Sequence, residues 1–393
     1  MGRTCSGGAF LGIFSGMLSG YIPGLHPNTF FSEFDPTYLD REDVLTFASA
    51  CSAVNVPLSK VESMFLGVPD DQASVAVLIP LQRYTIEGRA EEAARLVALG
   101  TLSTGFFAAV ALPYIVKIVG PMYVASKPII PWLVLTILAL QTYDNGLRGL
   151  AVFSASSAVG YVVLSGPLDV ASPLEAMLSG FYAIGPGLSC LMNRTSIPKQ
   201  RPGKPAISGK ELPKCGILAA LAGCALGFLP GLGPANVVSV LTRLGVDTTE
   251  RYLLVTSGID AADAVSSIVA LHALGNPRSG ASVFIQRSVG DITYPEVLAS
   301  VGVYLLVSVL GAWLLIFSTR VLGGVLSGAR ARVLTGTVVL GLLALMTFHG
   351  LGSLGTAIAC AGIGIYALRS GVDPSLCTSA LALPTALKLL GVG

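Results

Sequence analysis

Long apolar stretches dominate the chain, and polar residues gather in the short intervals between them. Leu96 to Val116, Val297 to Ser318 and Val333 to Phe348 each read as a helix able to cross about 30 Å of hydrocarbon. Segments of alternating polarity, which a membrane barrel needs, are absent. One apolar run stops early: "SGMLSGYIPGLHPNTF", Ser15 to Phe30, sets Pro-Gly and then His-Pro-Asn-Thr inside hydrophobic sequence. Pro23 removes a backbone donor and Gly24 frees φ, so the helix from Gly8 is expected to end near Ile22. Pro27, Asn28 and Thr29 suit the start of another. In lipid such a break is tolerated only where protein buries it or where it lines a wet cavity.

The break occurs twice. "GMLSGYIPGLHP", Gly16 to Pro27, recurs as "GCALGFLPGLGP", Gly223 to Pro234, sharing G-x-x-x-G-x-x-P-G-L-x-P at an offset of 207 positions. A second pair follows in register: "LGVPDDQASV", Leu66 to Val75, and "LGNPRSGASV", Leu274 to Val283, at an offset of 208. Two motifs kept at nearly constant separation indicate tandem duplication. The expected organisation is a first transmembrane repeat over 1–192, a basic linker over 193–214 and a second transmembrane repeat over 215–393. Gly16, Gly20, Gly223 and Gly227 are expected to let helices approach closely.

Charge sets the orientation. The linker carries many bases and the single acid Glu211, so the positive-inside rule places it in the cytoplasm. Counting crossings from it puts Arg148, Arg320, Arg330, Arg332 and Arg369 inside, and Asp169, the segment 117–127 and the segment 349–353 outside. Corresponding loops of the two halves then fall on opposite sides, which means inverted topology with about ten crossings in all. Inverted repeats bring their broken helices together near the midplane, the arrangement of a secondary transporter. The fold class is therefore an all-α polytopic membrane protein with two inverted repeats and re-entrant helices.

Composition agrees: of 393 residues 53% are hydrophobic and 12% charged, and the mean hydropathy is +0.74. This places the protein as multi-pass in the cell membrane, with lipid as its surroundings. The net charge of +2 is spread over loops with no basic tract, so nucleic acid is not an expected partner. The seven cysteines lack metal-ligand spacing and read as small packed hydrophobes. No HExxH, paired catalytic aspartate motif or nucleophile elbow points to an enzyme.

The breaks suggest an anion site. Free N–H groups after Pro27, with Asn28 and Thr29, favour negative charge, and Pro230, Gly231, Gly233, Pro234 and Asn236 repeat the arrangement. A plain interhelical turn would use the same residues, but duplication of the whole frame favours a site. His26 reads equally as an interfacial polar residue or as a ligand or proton carrier, and its counterpart is Gly233. Beyond Pro69 and Pro277, Ser74, Ser279 and Ser282 suit the starts of re-entering helices, and Arg278 seeks a carboxylate. Asp70 and Asp71 read as helix caps or as ligands of a coupling cation; Asp260 and Asp263 are coupling candidates because carboxylates in apolar surroundings are costly. Na⁺ or H⁺ would be the only bound helper, and no metal cofactor is expected.

The frame "GMLSGYIPGLHPNT" followed by "MFLGVPDDQASVAVLIPLQRYTIEGRAEEAARLVALG", Met64 to Gly100, resembles the large membrane subunit of tripartite tricarboxylate transporters, the TctA family. That family's "G-Y-P-M-A-x-x-G-x-A-x-E-A-L" segment corresponds here to Leu81 to Ala94, with Arg83, Tyr84, Gly88, Arg89 and Glu92. The resemblance implies an ion-driven secondary transporter of carboxylates. Pro23, Gly24, Pro69, Ser74, Pro230, Gly231, Pro277 and Ser282 would frame its site. It also implies two partners, a small membrane subunit and an extracytoplasmic solute-binding protein, although the short length suits a compact member able to act alone or as a homo-oligomer. Asp70 stands where the family commonly has glycine. A translocase for a phosphorylated polyprenyl lipid is the alternative reading, using the same helix starts to hold phosphate and leaving the site open to lipid.

Overall fold

Helices make up the regular structure, and among the described residues there is no strand. The computed structural model describes residues 6–23, 25–69, 71–166, 168, 170–193, 197–227, 232–326 and 329–392. Gly24, Asp70, Pro230, Gly231, Cys5, Asp169 and the side chain of Thr29 lie outside the described residues. The first series of helices is α1 (Ser6–Tyr21), α2 (Pro27–Glu33), α3 (Arg41–Leu58), α4 (Lys60–Phe65), α5 (Gln72–Ile86), α6 (Ala90–Ser126), α7 (Ile130–Asp144), α8 (Gly146–Ser165), α9 (Pro173–Leu178) and α10 (Gly185–Met192). After the linker come α11 (Glu211–Leu226), α12 (Pro234–Thr242), α13 (Thr249–Leu274), α14 (Gly280–Val289), α15 (Tyr294–Val325), α16 (Ala329–Phe348), α17 (Leu351–Ser370) and α18 (Ser379–Leu389).

Two charged clusters mark the ends of the bundle. At one, Arg41 at the start of α3 pairs with Glu296 of α15 at 2.5 Å and also donates to the carbonyls of Val289 and Asp291. Helix α15 then runs for 32 residues, about 48 Å at 1.5 Å per residue. At its far end Arg320 meets Glu91 of α6 at 2.8 Å. The linker lies here too, since the Arg201 N–H donates to Gly88 O at 2.8 Å and Gln200 bonds both Thr85 O and the Ala90 N–H. Arg148 reaches Ser370 O, Arg369 contacts Met192, and Arg332 shares a cavity wall with Asn193 and Ile197. The arginines expected on one side of the membrane thus share one end of the molecule.

The short helices start in the middle and run toward opposite ends. Arg287, late in α14, donates to Phe31 O and Phe34 O at the end of α2, so both helices run toward the Arg41 end. Phe31, Phe47 and Phe284 pack α2, α3 and α14 together, with ring centroids 5.5–5.9 Å apart. Tyr84, late in α5, donates to Glu250, and Arg243, just after α12, pairs with Asp144, so these helices run toward the linker end.

Among the described residues seven helices are long and apolar enough to cross a membrane, or eight with the pair Gly120–Ser126 and Ile130–Asp144, bent by 71°. About ten crossings were expected. The difference lies in helices too short for a full span: α1, α5 and α11 have 16, 15 and 16 residues, and α12 and α14 have 9 and 10. Hydropathy registers their apolar character but not that the chain turns back.

Several helix crossings are close at a glycine. A Cβ on Gly16 would lie 2.6 Å from Cys51 O in α3, and one on Gly223 would lie 2.5 Å from Ile259 O in α13. Between the two series, a Cβ on Gly100 of α6 would meet Leu254 O of α13 at 2.2 Å. Backbone cannot yield as a flexible side chain can, so Gly100→Ala is expected to cost about 1–3 kcal/mol by overpacking. Thermal unfolding in detergent checks this, with Gly120→Ala, which meets nothing within 4 Å, as the comparison.

Candidate functional site

The two sequence motifs and their duplicates supply the starts of α2, α5, α12 and α14, and each start is fixed locally. Helix α2 begins at Pro27, where the missing N–H costs nothing, and His26 Nδ1 accepts from the Asn28 N–H at 3.2 Å. Asp71 caps α5 by accepting from the Ser74 N–H at 2.5 Å. Helix α14 opens with a reciprocal box, in which Ser279 Oγ accepts from the Ser282 N–H at 3.2 Å and Ser282 Oγ accepts from the Ser279 N–H at 2.9 Å. Pro234 opens α12, and Asn236 Oδ1 accepts from the Gly233 N–H at 3.1 Å.

These starts meet across the duplication. The amide oxygen of Gln72, first residue of α5, lies so close to Gly233 that a Cβ there would be 1.6 Å away. Asn28 Oδ1 covers Gly280 in the same way, at 1.8 Å from a Cβ. Each half therefore presses a side-chain amide onto a bare backbone position of the other.

Charge collects around the junction. Lys60, fully buried at the joint between α3 and α4, donates to Asp260 Oδ2 at 2.9 Å, Ser74 Oγ at 2.9 Å, Ser59 Oγ at 3.2 Å and Asp71 Oδ2 at 3.4 Å. His26 lies within electrostatic reach of Asp71 and Lys60, and Asp263 within reach of both Asp260 and Arg278. Arg278 is partly buried, and among the described residues its guanidinium makes no hydrogen bond or ion pair. The Asp71 and Asp260 side chains keep 20% and 14% of their surface exposed although they sit mid-bundle. Water or solute can thus reach them.

The predicted residues divide by what their atoms are free to do. Asn28, Arg278, Asp71, Asp260 and Asp263 present partly or fully exposed side chains at the junction. Asn236 is fully buried, and its Nδ2 donates to Gln141 Oε1 at 3.0 Å and Thr378 Oγ1 at 2.8 Å. With Oδ1 on Gly233, it positions the start of α12. Pro23 and Pro69 stand at the turns that reverse the chain, and Pro277 precedes Arg278 where α14 begins. His272 and His349 lie elsewhere, on Ile292 O and beside Glu175.

A vestibule approaches from the linker end. Two cavities of about 390 and 440 Å³ share Asn145, Thr242, Tyr252 and Asp373, and the first is also lined by Gln141 and Ser239. Gln141 joins this wall to Asn236, while Arg243 and Asp144 pair beside it.

The sequence matches the tripartite tricarboxylate transporter TctA family over residues 7–378. The chain belongs to that family. It is also 25% identical over 395 residues to an uncharacterized protein of Methanocaldococcus jannaschii, covering 97% of this chain and 98% of that one. No solved structure matches it. Membership in a transporter family and the apolar helices make this TctA protein a multi-pass membrane protein.

Sequence alone did not single out Lys60, Gln72 or Gln141. Lys60 carries a signal in retrospect, as the one basic residue between Arg41 and Arg83, in the largely buried span Arg41–Phe65. A lysine so placed needs oxygen partners. Gln72 and Gln141 have no such mark, because their roles come from contacts across the duplication.

Proposed function

We propose that this TctA protein is a secondary active transporter of small organic anions, carboxylates in particular, in the cell membrane. The observation that carries the reading is Arg278, whose guanidinium makes no hydrogen bond or ion pair among the described residues where the halves meet. Its planar fork suits a carboxylate. The starts of α5, α12 and α14 add favourable dipoles, and Asn28 offers a side-chain amide.

The charge balance supports ion coupling. Among the described residues the junction holds Lys60 and Arg278 against Asp71, Asp260 and Asp263, an excess of one negative charge. A carboxylate entering there adds more, and a co-bound Na⁺ or H⁺ offsets that cost. Half-helices running from one centre toward opposite ends suit inverted repeats that expose a fixed site alternately, and the vestibule suits an opening at the linker end. The concentration of arginines at that end supports its being cytoplasmic. A small membrane subunit and an extracytoplasmic binding protein are the expected partners, by the family's three-part organisation.

The test is reconstitution of the purified chain in liposomes, with uptake of labelled di- and tricarboxylates under an imposed Na⁺ or pH gradient. Uptake that follows one gradient and stops when it is collapsed is the expected result. Failure of every carboxylate under both gradients, with the partner subunits present, contradicts the proposal.

A further inference from the structure

Lys60 joins the halves through an arrangement that resembles a metal site more than an ordinary ion pair. Among the described residues its Nζ sits among two carboxylate oxygens, of Asp71 and Asp260, and two hydroxyl oxygens, of Ser59 and Ser74, at 2.9–3.4 Å. Oxygen-only donors of this kind are what hard cations take. Of these oxygens, those of Ser59, Asp71 and Ser74 come from the first half and that of Asp260 from the second.

The duplicate arrangement lacks the ammonium. At the offset of 208, Ser59, Asp71 and Ser74 become Ser267, Ser279 and Ser282, and Lys60 becomes Ile268. The three serines also lie together: Ser267 Oγ is 2.9 Å from Ser279 Oγ, which is 3.2 Å from Ser282 Oγ. Oxygens at three duplicated positions thus gather around an ammonium in one copy, and among the described residues no ammonium lies among them in the other.

We propose that the Lys60 ammonium is a resident cation occupying a latent alkali-metal site, and that removing it leaves a Na⁺ site between Asp71 and Asp260. The ammonium fills the space between these carboxylates throughout the cycle, so this position takes up no cation from solution. Any coupling cation then binds elsewhere. The inference does not depend on the substrate, because it is read without carboxylate.

The experiment compares thermal unfolding of the purified full chain in sodium and choline chloride at equal ionic strength. Lys60→Ala is expected to gain a saturable stabilisation by Na⁺ larger than that of the unmodified protein, and Lys60→Ala combined with Asp260→Asn is expected to lose the gain. Should Lys60→Ala not fold in choline, recovery of folded protein in Na⁺ is the same result. Lys60→Gln keeps the volume, offers an amide oxygen to the ion and is expected to show the same gain. If neither single variant is stabilised by Na⁺ beyond the unmodified protein, or if the gain persists without the Asp260 carboxylate, the proposal is overturned. Carboxylate uptake plays no part in the readout, so failure here leaves the transport proposal standing, and the reverse.

Discussion

Arg278→Gln is expected to weaken carboxylate binding by about 1.5–3 kcal/mol, on the order of 10- to 100-fold, the range of a hydrogen bond to a charged group. The guanidinium makes no hydrogen bond or ion pair among the described residues, so removing it breaks no internal bond, and beyond its attraction to Asp263 the effect falls on the ligand. Arg278→Lys should recover only part of the loss, because an ammonium keeps the charge but not the fork. Titration of the purified protein with carboxylate reads both effects, and unfolding in its absence should change little. A large loss of stability without ligand would show instead that Arg278 holds the fold together.

Asn236→Ala is expected to act in the opposite way, on stability first. It removes the bonds from Nδ2 to Gln141 and Thr378 and the acceptor for the Gly233 N–H, all buried. Leaving buried polar groups unpaired costs about 1–3 kcal/mol each, so about 3 kcal/mol or more is expected in total after some relaxation. Asn28→Ala is the informative partner. The Asn28 side chain is exposed and makes no protein hydrogen bond among the described residues, so its loss should shift stability by no more than about 0.5 kcal/mol while weakening ligand binding. Thermal unfolding and ligand titration of both variants separate a positioning asparagine from a contacting one.

What could be read from the sequence follows from how far each signal reaches. Pro27 and Pro234 start helices, and Asp71 and Ser279 cap them, through the backbone of their own neighbours, so these features show in a short stretch of residues. The glycine crossings at Gly16 and Gly223 were legible for the same reason. Lys60 and Asp260 lie 200 positions apart, and Asn236 and Thr378 lie 142 apart. Nothing near either member announces the other. Asn236 reads as a ligand beside its motif, and only the distant Gln141 and Thr378 reveal that its amide is engaged. The number of crossings was hidden in a different way, since a short helix that turns back is as apolar as one that spans.

The central claim is that a small carboxylate binds at the junction of the two halves, on Arg278. The most direct measurement is thermal stabilisation of the purified protein by di- and tricarboxylates, inorganic phosphate and short polyprenyl phosphates, with and without Na⁺ and at two pH values, in the unmodified protein and in Arg278→Gln. The account predicts stabilisation by a small carboxylate that depends on Na⁺ or on pH and is largely lost in Arg278→Gln. Stabilisation by the lipid phosphate alone, or by carboxylate equally in both proteins, would contradict it.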